Sequence, residues 1–228
     1  MRWINWGLAA LFGCGLVASP AAAQQAPPSA SAPQARFVVV LDAAHGGDDP
    51  GARLSDGQPE KALTLALSVK LRSLLAARGI QVVTTRESDA ALDSNQRAET
   101  ANHAAAQACL ILHASESGSG VHLFASSLAP APPTRFVAWK TAQAASVTRS
   151  LALAGSLNSA LLRAGIQVTL GRTALPTMDS MTCPAVALEI APERDGQKIV
   201  NGLDNAGYQA RVTRALADAL LEWRSEAR

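Results

Sequence analysis

At 228 residues the chain is long enough for one substantial core and short for two full domains. Hydrophobic side chains make up 48% and charged ones 17%, as in a globular protein with much buried surface. The 20 basic and 18 acidic side chains leave a net charge of +2, which excludes a strong field recruiting nucleic acid or an anionic membrane.

Residues 1–23 read as a secretory signal peptide. Arg2, the apolar run from Trp6 to Val17 and the small residues Ala21-Ala22-Ala23 before Gln24 supply its three parts, with a cut after Ala23. The run is short for a permanent bilayer span. The mature protein is therefore expected in the periplasm or another extracytoplasmic space, without a stable membrane span. Cys14, closing the run LFGC, offers lipoprotein anchoring as the lesser alternative, because apolar residues continue past it. Residues 24–35, QQAPPSASAPQA, lack apolar periodicity and read as a flexible tether. One domain, residues 36–228, follows.

Strand and helix signals alternate within it. RFVVVLDA suits a buried strand, and PEKALTLALSVKLRSLLAARG a helix opened near Pro59 and stopped at Gly79. IQVVTT is strand-like and SNQRAETANHAAAQA helical. CLILHA and GVHLFA read as strands, and residues 137–165 as one long helix ending at Gly165. CPAVALEIA is a further strand, and residues 206–228 a closing helix. The alternation predicts an α/β fold: a single-domain three-layer sandwich with a largely parallel central sheet flanked by helices. Cys109 and Cys183 each precede a strand-like run. They pair if those strands are neighbours in an oxidising compartment, and are otherwise buried thiols.

In such folds chemistry gathers at the carboxyl ends of strands. His45 lies just past the first strand in the turn LDAAHGGDDPGA, His113 ends CLILH, and Glu189 is near the end of AVALE. Glu60 opens the first helix, and the spacing Glu60, Leu63, Leu67, Leu71, Leu74 puts it on the buried stripe. Each has a plain structural reading: Glu60 at the positive end of a helix dipole, the histidines as hydrogen-bonded loop and strand-end residues. Glu189 resists it most, because a carboxylate within an apolar strand costs several kcal/mol unless compensated. Taken together they fit a catalytic zinc site, which commonly uses three His or carboxylate ligands and a separate carboxylate for proton transfer. His45, Glu60 and His113 would hold the metal, and Glu189 would be the base. Asp42 is a candidate for orienting a ligand. His122 points to the opposite face from Val121 and Leu123 and is a candidate substitute ligand or substrate contact. His103, in a polar helix, reads as solvated. A serine hydrolase is disfavoured by the lack of a G-x-S-x-G elbow, although HASESGSG places serines beside His113.

VVVLDAAHGGDDPGA, EKALTLALSVKLRSLLAARGIQVVTTR, RAETAN, LILHAS and CPAVALEIA resemble, in order and spacing, the zinc-dependent N-acetylmuramoyl-L-alanine amidases of the type 3 family. The resemblance runs through nearly all of residues 36–228. It implies zinc on His45, Glu60 and His113 with Glu189 catalytic, and peptidoglycan as substrate. The bond cut would be the amide between N-acetylmuramic acid and L-alanine, in wall turnover or septum splitting. The pattern departs from the family at Ala44, where glycine is usual, at Leu112 and Ser115 around His113, and at Ile190, Ala191 and Pro192 after Glu189. These changes touch substrate positioning more than metal binding. Arg86, Arg97 and Asn102 match the family and read as braces for loops and helix ends. The stretch 125–143 is short and Pro-rich, so the metal-blocking helix of some family members is not expected. The alternative function is a peptidoglycan-binding or scaffolding protein that keeps the amidase fold with little turnover.

Overall fold

Residues 38–43 are all buried, and their alternation decides the layering. In the computed structural model, which describes residues 1, 3, 36–132 and 138–226, Val39 and Leu41 of strand β1 (Val38–Ala43) enter one apolar cluster and Val40 another on the opposite face. Strand β3 (Ala108–Ala114) divides the same way, Leu110 and Leu112 against Cys109 and Ile111. So does β6 (Ala185–Ile190), with Val186 and Leu188 against Ala185 and Ala187. A strand whose two faces are both covered reads as an unbroken apolar run. The expected signal peptide and tether, with Cys14, fall outside the described residues apart from Met1 and Trp3.

The larger cluster is closed by three helices, α1 (Glu60–Ala76), α3 (Val147–Arg163) and α5 (Ala206–Glu226). Leu63, Leu67, Leu71 and Leu75 of α1 are buried there, and Leu74 packs at its margin, so the stripe ends one residue later than the spacing predicts. Burying each such leucine favours the folded state by about 1.5–3 kcal/mol. On the other face lie α2 (Ser94–His103), through Ala98 and Ala101, and the single turn α4 (Pro176–Asp179), through Met178. Asp93 caps α2 with a reciprocal box, accepting from the amides of Asn95 and Gln96 while Gln96 accepts from its own.

The six-stranded sheet has the order β2-β1-β3-β6-β4-β5, where β2 is Gln81–Thr84, β4 Val121–Ser126 and β5 Val168–Thr173. Four pairings are parallel and one, β4 with β6, is antiparallel. This is the predicted sandwich with a mostly parallel sheet, with β4 and β5 reversed. The sequence reading missed β5 and the small hairpin of β7 (Glu193–Asp195) and β8 (Lys198–Asn201).

The helix predicted over 137–165 is two. A 3-10 helix, Trp139–Ala145, ends at Ser146, whose φ of −111° and ψ of −3° separate it from α3. The break places the buried amide of Gln143 where it donates to the carbonyls of Met178, Met181 and Cys183 while accepting from Ser150. The Met178 carbonyl also accepts from the Met181 amide, but those of Met181 and Cys183 have no other partner among the described residues. The same segment bears on the expected absence of a blocking helix: residues 139–145 dock beside the amino end of β6, at the sheet edge opposite to Glu189. Cys109 and Cys183 form a disulfide at that edge, joining β3 to the segment before β6.

Candidate metal centre and active site

The chain leaves β1 through a turn that folds back onto the start of α1. Pro59 provides no side-chain cap. The turn supplies partners instead: the amide of Glu60 donates to the Ala52 carbonyl (2.8 Å) and that of Lys61 to Pro50 (3.2 Å). Lys61 in turn reaches the Gly47 carbonyl (2.6 Å) and Asp89 (2.7 Å). The Glu-Lys opening thus does two jobs, Lys61 pinning the histidine turn while Glu60 enters the site. Gly51 allows this approach: its φ is +64°, and a Cβ there would lie 2.6 Å from both Glu60 Oε2 and His45 Cδ2.

His45, Glu60 and His113 converge, each offering a ligand atom within 4.8 Å of the others. Glu60 Oε2 lies 3.1 Å from His45 Nε2, and Oε1 lies 3.0 Å from His113 Nδ1. The amides of Ala52 and Ala114 donate to the same carboxylate, at 2.9 and 3.0 Å. Burial pushes the Glu60 carboxyl up, but the bonds from His113, His45 and the two amides outweigh it and hold the group far below the usual carboxylate range. His45 is raised above its ordinary value by Glu60, against burial, with Asp49 adding to the effect.

These contacts test the fit of a metal. Asp49 Oδ2 stands 2.8 Å from His45 Nδ1, so a neutral ring that donates to Asp49 turns the lone pair of Nε2 toward the anionic Glu60. Two electron-pair donors face each other there. Either a second proton or a cation must lie between them. Two partly exposed imidazoles and a buried carboxylate converging at one point are the donor set that zinc takes in open catalytic sites.

The backbone behind His45 is held from the sheet side. His45 adopts φ +62°, uncommon for a side chain of its size. Arg97 donates to its carbonyl (2.7 Å), to that of Ala43 (2.7 Å) and to Asp42 (2.7 Å). Arg86 donates to the carbonyls of Ala43, Ala44, Ser88 and Lys61, and Asn102 ties to Ser180 and Thr182. All three act as the braces expected of them. Asp42 does not orient a ligand side chain. It bonds Arg97 and Thr85, and Asp49 is the residue on the His45 ring. The sequence carried a signal for Asp49, an acid four positions after the histidine in a tight turn.

Glu189 stands apart from the three converging residues, directly beside His113 in the parallel register of β3 and β6. It lies half-buried on the sheet face above Ala187, and among the described residues its carboxylate accepts no hydrogen bond. Ile190 and Ala191, two of the departures after it, are core residues: Ala191 donates to the Gly120 carbonyl and accepts from Tyr208. His103 is exposed, as expected. His122 lies across from Glu189 on β4, a proximity hidden from the sequence by the reversed strand.

Known proteins resemble this chain in sequence and in fold. The family model for N-acetylmuramoyl-L-alanine amidase matches residues 39–222. The N-acetylmuramoyl-L-alanine amidase AmiA of Escherichia coli is 35% identical over 104 residues, 44% of this chain and 36% of that protein. A sporulation-specific amidase of Bacillus subtilis is 35% identical over 82 residues, 35% of this chain and 32% of its own length. The matches thus span about a third of these curated relatives. The catalytic domain of the amidase CwlV from Bacillus (Paenibacillus) polymyxa var. colistinus superposes with a TM-score of 0.62 at 26% identity, covering 83% of this chain and 98% of that one. An amidase of Clostridium difficile 630 shares the fold, with a TM-score of 0.65 at 21% identity over 83% and 97% of the two chains.

Proposed function

This chain belongs to the N-acetylmuramoyl-L-alanine amidase family, and from that premise we propose that it hydrolyses the amide between N-acetylmuramic acid and L-alanine in peptidoglycan, with zinc as its metal. The observation that carries the reading is the convergence of His45, Glu60 and His113 beside Glu189 on a sheet edge. Zinc bound there supplies Lewis-acid chemistry, making water a better acid and the amide carbonyl a better electrophile. His45, Glu60 and His113 would hold it, with Asp49 fixing the His45 ring.

Glu189 does the proton work. It is close enough to His113 to reach a water attacking beside the metal ligands, and has no partner of its own among the described residues to compete for its lone pairs. Its carboxylate takes a proton from the attacking water, then gives it to the amide nitrogen as the C–N bond breaks, so that the stem peptide leaves with a neutral amine on its L-alanine.

Export by residues 1–23, part of the same proposal, would bring the protein to the wall, which lies outside the membrane. The Cys109–Cys183 disulfide suits an oxidising compartment, and no helix of the described residues is long and apolar enough to cross a bilayer. We place the mature domain at residues 36–228, exported by residues 1–23 and tethered by 24–35, in the periplasm or an equivalent space.

The test is release of free stem peptide from purified peptidoglycan by the zinc-loaded mature protein beside Glu189→Ala. Release that vanishes in the variant while zinc stays bound supports an amidase with Glu189 as its base. No release from either, with zinc on both, supports the wall-binding alternative.

A further inference from the structure

Four polar side chains cross the sheet in one row at the active edge. His113 of β3 is registered with Glu189 of β6, Glu189 with His122 of β4, and His122 with Thr169 of β5. Registered neighbours share a face, with Cβ atoms about 5 Å apart. Because β4 runs antiparallel to β6, its amino end, where His122 sits, lies at the edge formed by the carboxyl ends of β1, β3 and β6. His122 is thus one strand beyond Glu189 and about 10 Å from His113.

The ring is fixed at one nitrogen and unpaired at the other among the described residues. Nδ1 meets the Thr169 hydroxyl, and among the described residues Nε2 has no hydrogen-bond partner. A threonine hydroxyl that donates to Nδ1 leaves the hydrogen on Nε2. Nε2 faces Gly118 in the loop that crosses the end of β6. That residue has φ +81°, and a Cβ on it would lie 2.3 Å from Nε2, so only glycine lets the loop pass this close to the ring, and any side chain there would take the place of a hydrogen-bond acceptor. Arg194 holds the loop in place, donating to the carbonyls of Gly118 (3.0 Å) and Glu116 (3.1 Å).

We propose that His122 is a substrate-binding residue of this site, its Nε2–H donating to a carbonyl or carboxylate oxygen of the peptide that leaves. The inference rests on the amidase reading above. In that reaction the proton held by Glu189 ends on the amide nitrogen, so the nitrogen and the peptide attached to it lie on the Glu189 side. An extended chain advances about 3.3–3.6 Å per residue, and a donor about 5 Å beyond Glu189, reaching out by a further hydrogen-bond length of about 2.9 Å, therefore meets the second residue after the scissile amide, which muramoyl-L-alanine lacks. The muramoyl part falls on the other side, where a groove of about 440 Å³ runs from His45 to Leu92 and Gln96 at the start of α2.

The test is calorimetric binding of muramoyl-tripeptide and of muramoyl-L-alanine to zinc-loaded Glu189→Gln protein, with and without His122→Ala. Loss of one hydrogen bond to a charged or polar group predicts tripeptide binding weakened about 10-fold. The shorter ligand, which lacks the further carbonyl and carboxylate groups, loses less than about 2-fold. Thr169→Val, which removes the fixing hydroxyl at nearly constant volume, should weaken the tripeptide selectively by a smaller factor and guards against a misfolded His122 variant. Equal losses on both ligands, or none, overturn the assignment while leaving the amidase reading intact if the wild-type protein releases stem peptide. No release by the wild type sinks both.

Discussion

Asp49 is an exposed residue on which a half-buried candidate ligand, His45, depends. Its carboxylate fixes the His45 ring at Nδ1 and also accepts from the Gly51 amide at 3.0 Å, while its own side chain is 64% exposed. Asp49→Ala should therefore lower zinc affinity about 10- to 100-fold, measured by competition with a chromogenic chelator, and leave the melting temperature of the metal-free protein nearly unchanged. Unaltered affinity would mean that Glu60 and the backbone alone aim the ring. Protons compete with the metal at the same nitrogen. His45 is raised above its ordinary value of 6.5, so zinc affinity should climb as pH rises through and above 6.5, whereas Glu60, held low, contributes no such slope near neutrality. Gly51→Ala acts on the pair from the other side. A methyl 2.6 Å from both groups, on backbone that costs a non-glycine residue about 1–2 kcal/mol, should separate Glu60 from His45. Its expected outcome is loss of stoichiometric zinc binding in a protein whose circular dichroism is retained.

The elements explain why some of this was legible in the sequence. Strands β1, β3 and β6 are buried on both faces and so read as apolar runs, and the leucine period of α1 showed which side Glu60 would take; those cues located all three groups of the candidate metal centre. Missed features had their causes elsewhere in the chain. Gln143 breaks the long helix to satisfy carbonyls 35 to 40 positions away, β5 is an edge strand with Thr169, Leu170 and Arg172 exposed and no apolar run, and the reversal of β4 is a matter of topology that a short alternating segment cannot report. Arg97 shows how elements couple at the site: from α2 it joins Asp42, within β1, to the carbonyls on either side of Ala44. Asp42 is 1% and Arg97 6% exposed, so Arg97→Ala leaves a buried carboxylate with only Thr85 and strips the His45 carbonyl of its donor, while that of Ala43 keeps Arg86. Unfolding in urea should show a loss of about 3–5 kcal/mol, with zinc affinity falling as the His45 backbone loosens. Arg97→Lys should recover little, because one ammonium cannot span three acceptors set around a guanidinium fork.

Across the whole molecule, the sheet separates chemistry from fastening. His45, Glu60, His113, Glu189 and His122 occupy one edge, while the Cys109–Cys183 disulfide, Gln143 and α4 occupy the other. The disulfide closes a loop of 74 residues that contains β4, α3 and β5. Chain-entropy arguments give such a closure about 4 kcal/mol of stability. Cys109→Ala with Cys183→Ala should lower the urea midpoint by a corresponding amount, and production in a reducing compartment should do the same to the wild type. Turnover per folded molecule should stay within about 2-fold, because the β3–β6 register that sets His113 against Glu189 has its own support. Six residue pairs hold it, and a slip of one residue would turn the apolar side chains of a strand buried on both faces toward the wrong cores. A fall in turnover beyond the fall in folded fraction would instead show that the covalent link at one edge sets the alignment of His113 and Glu189 at the other.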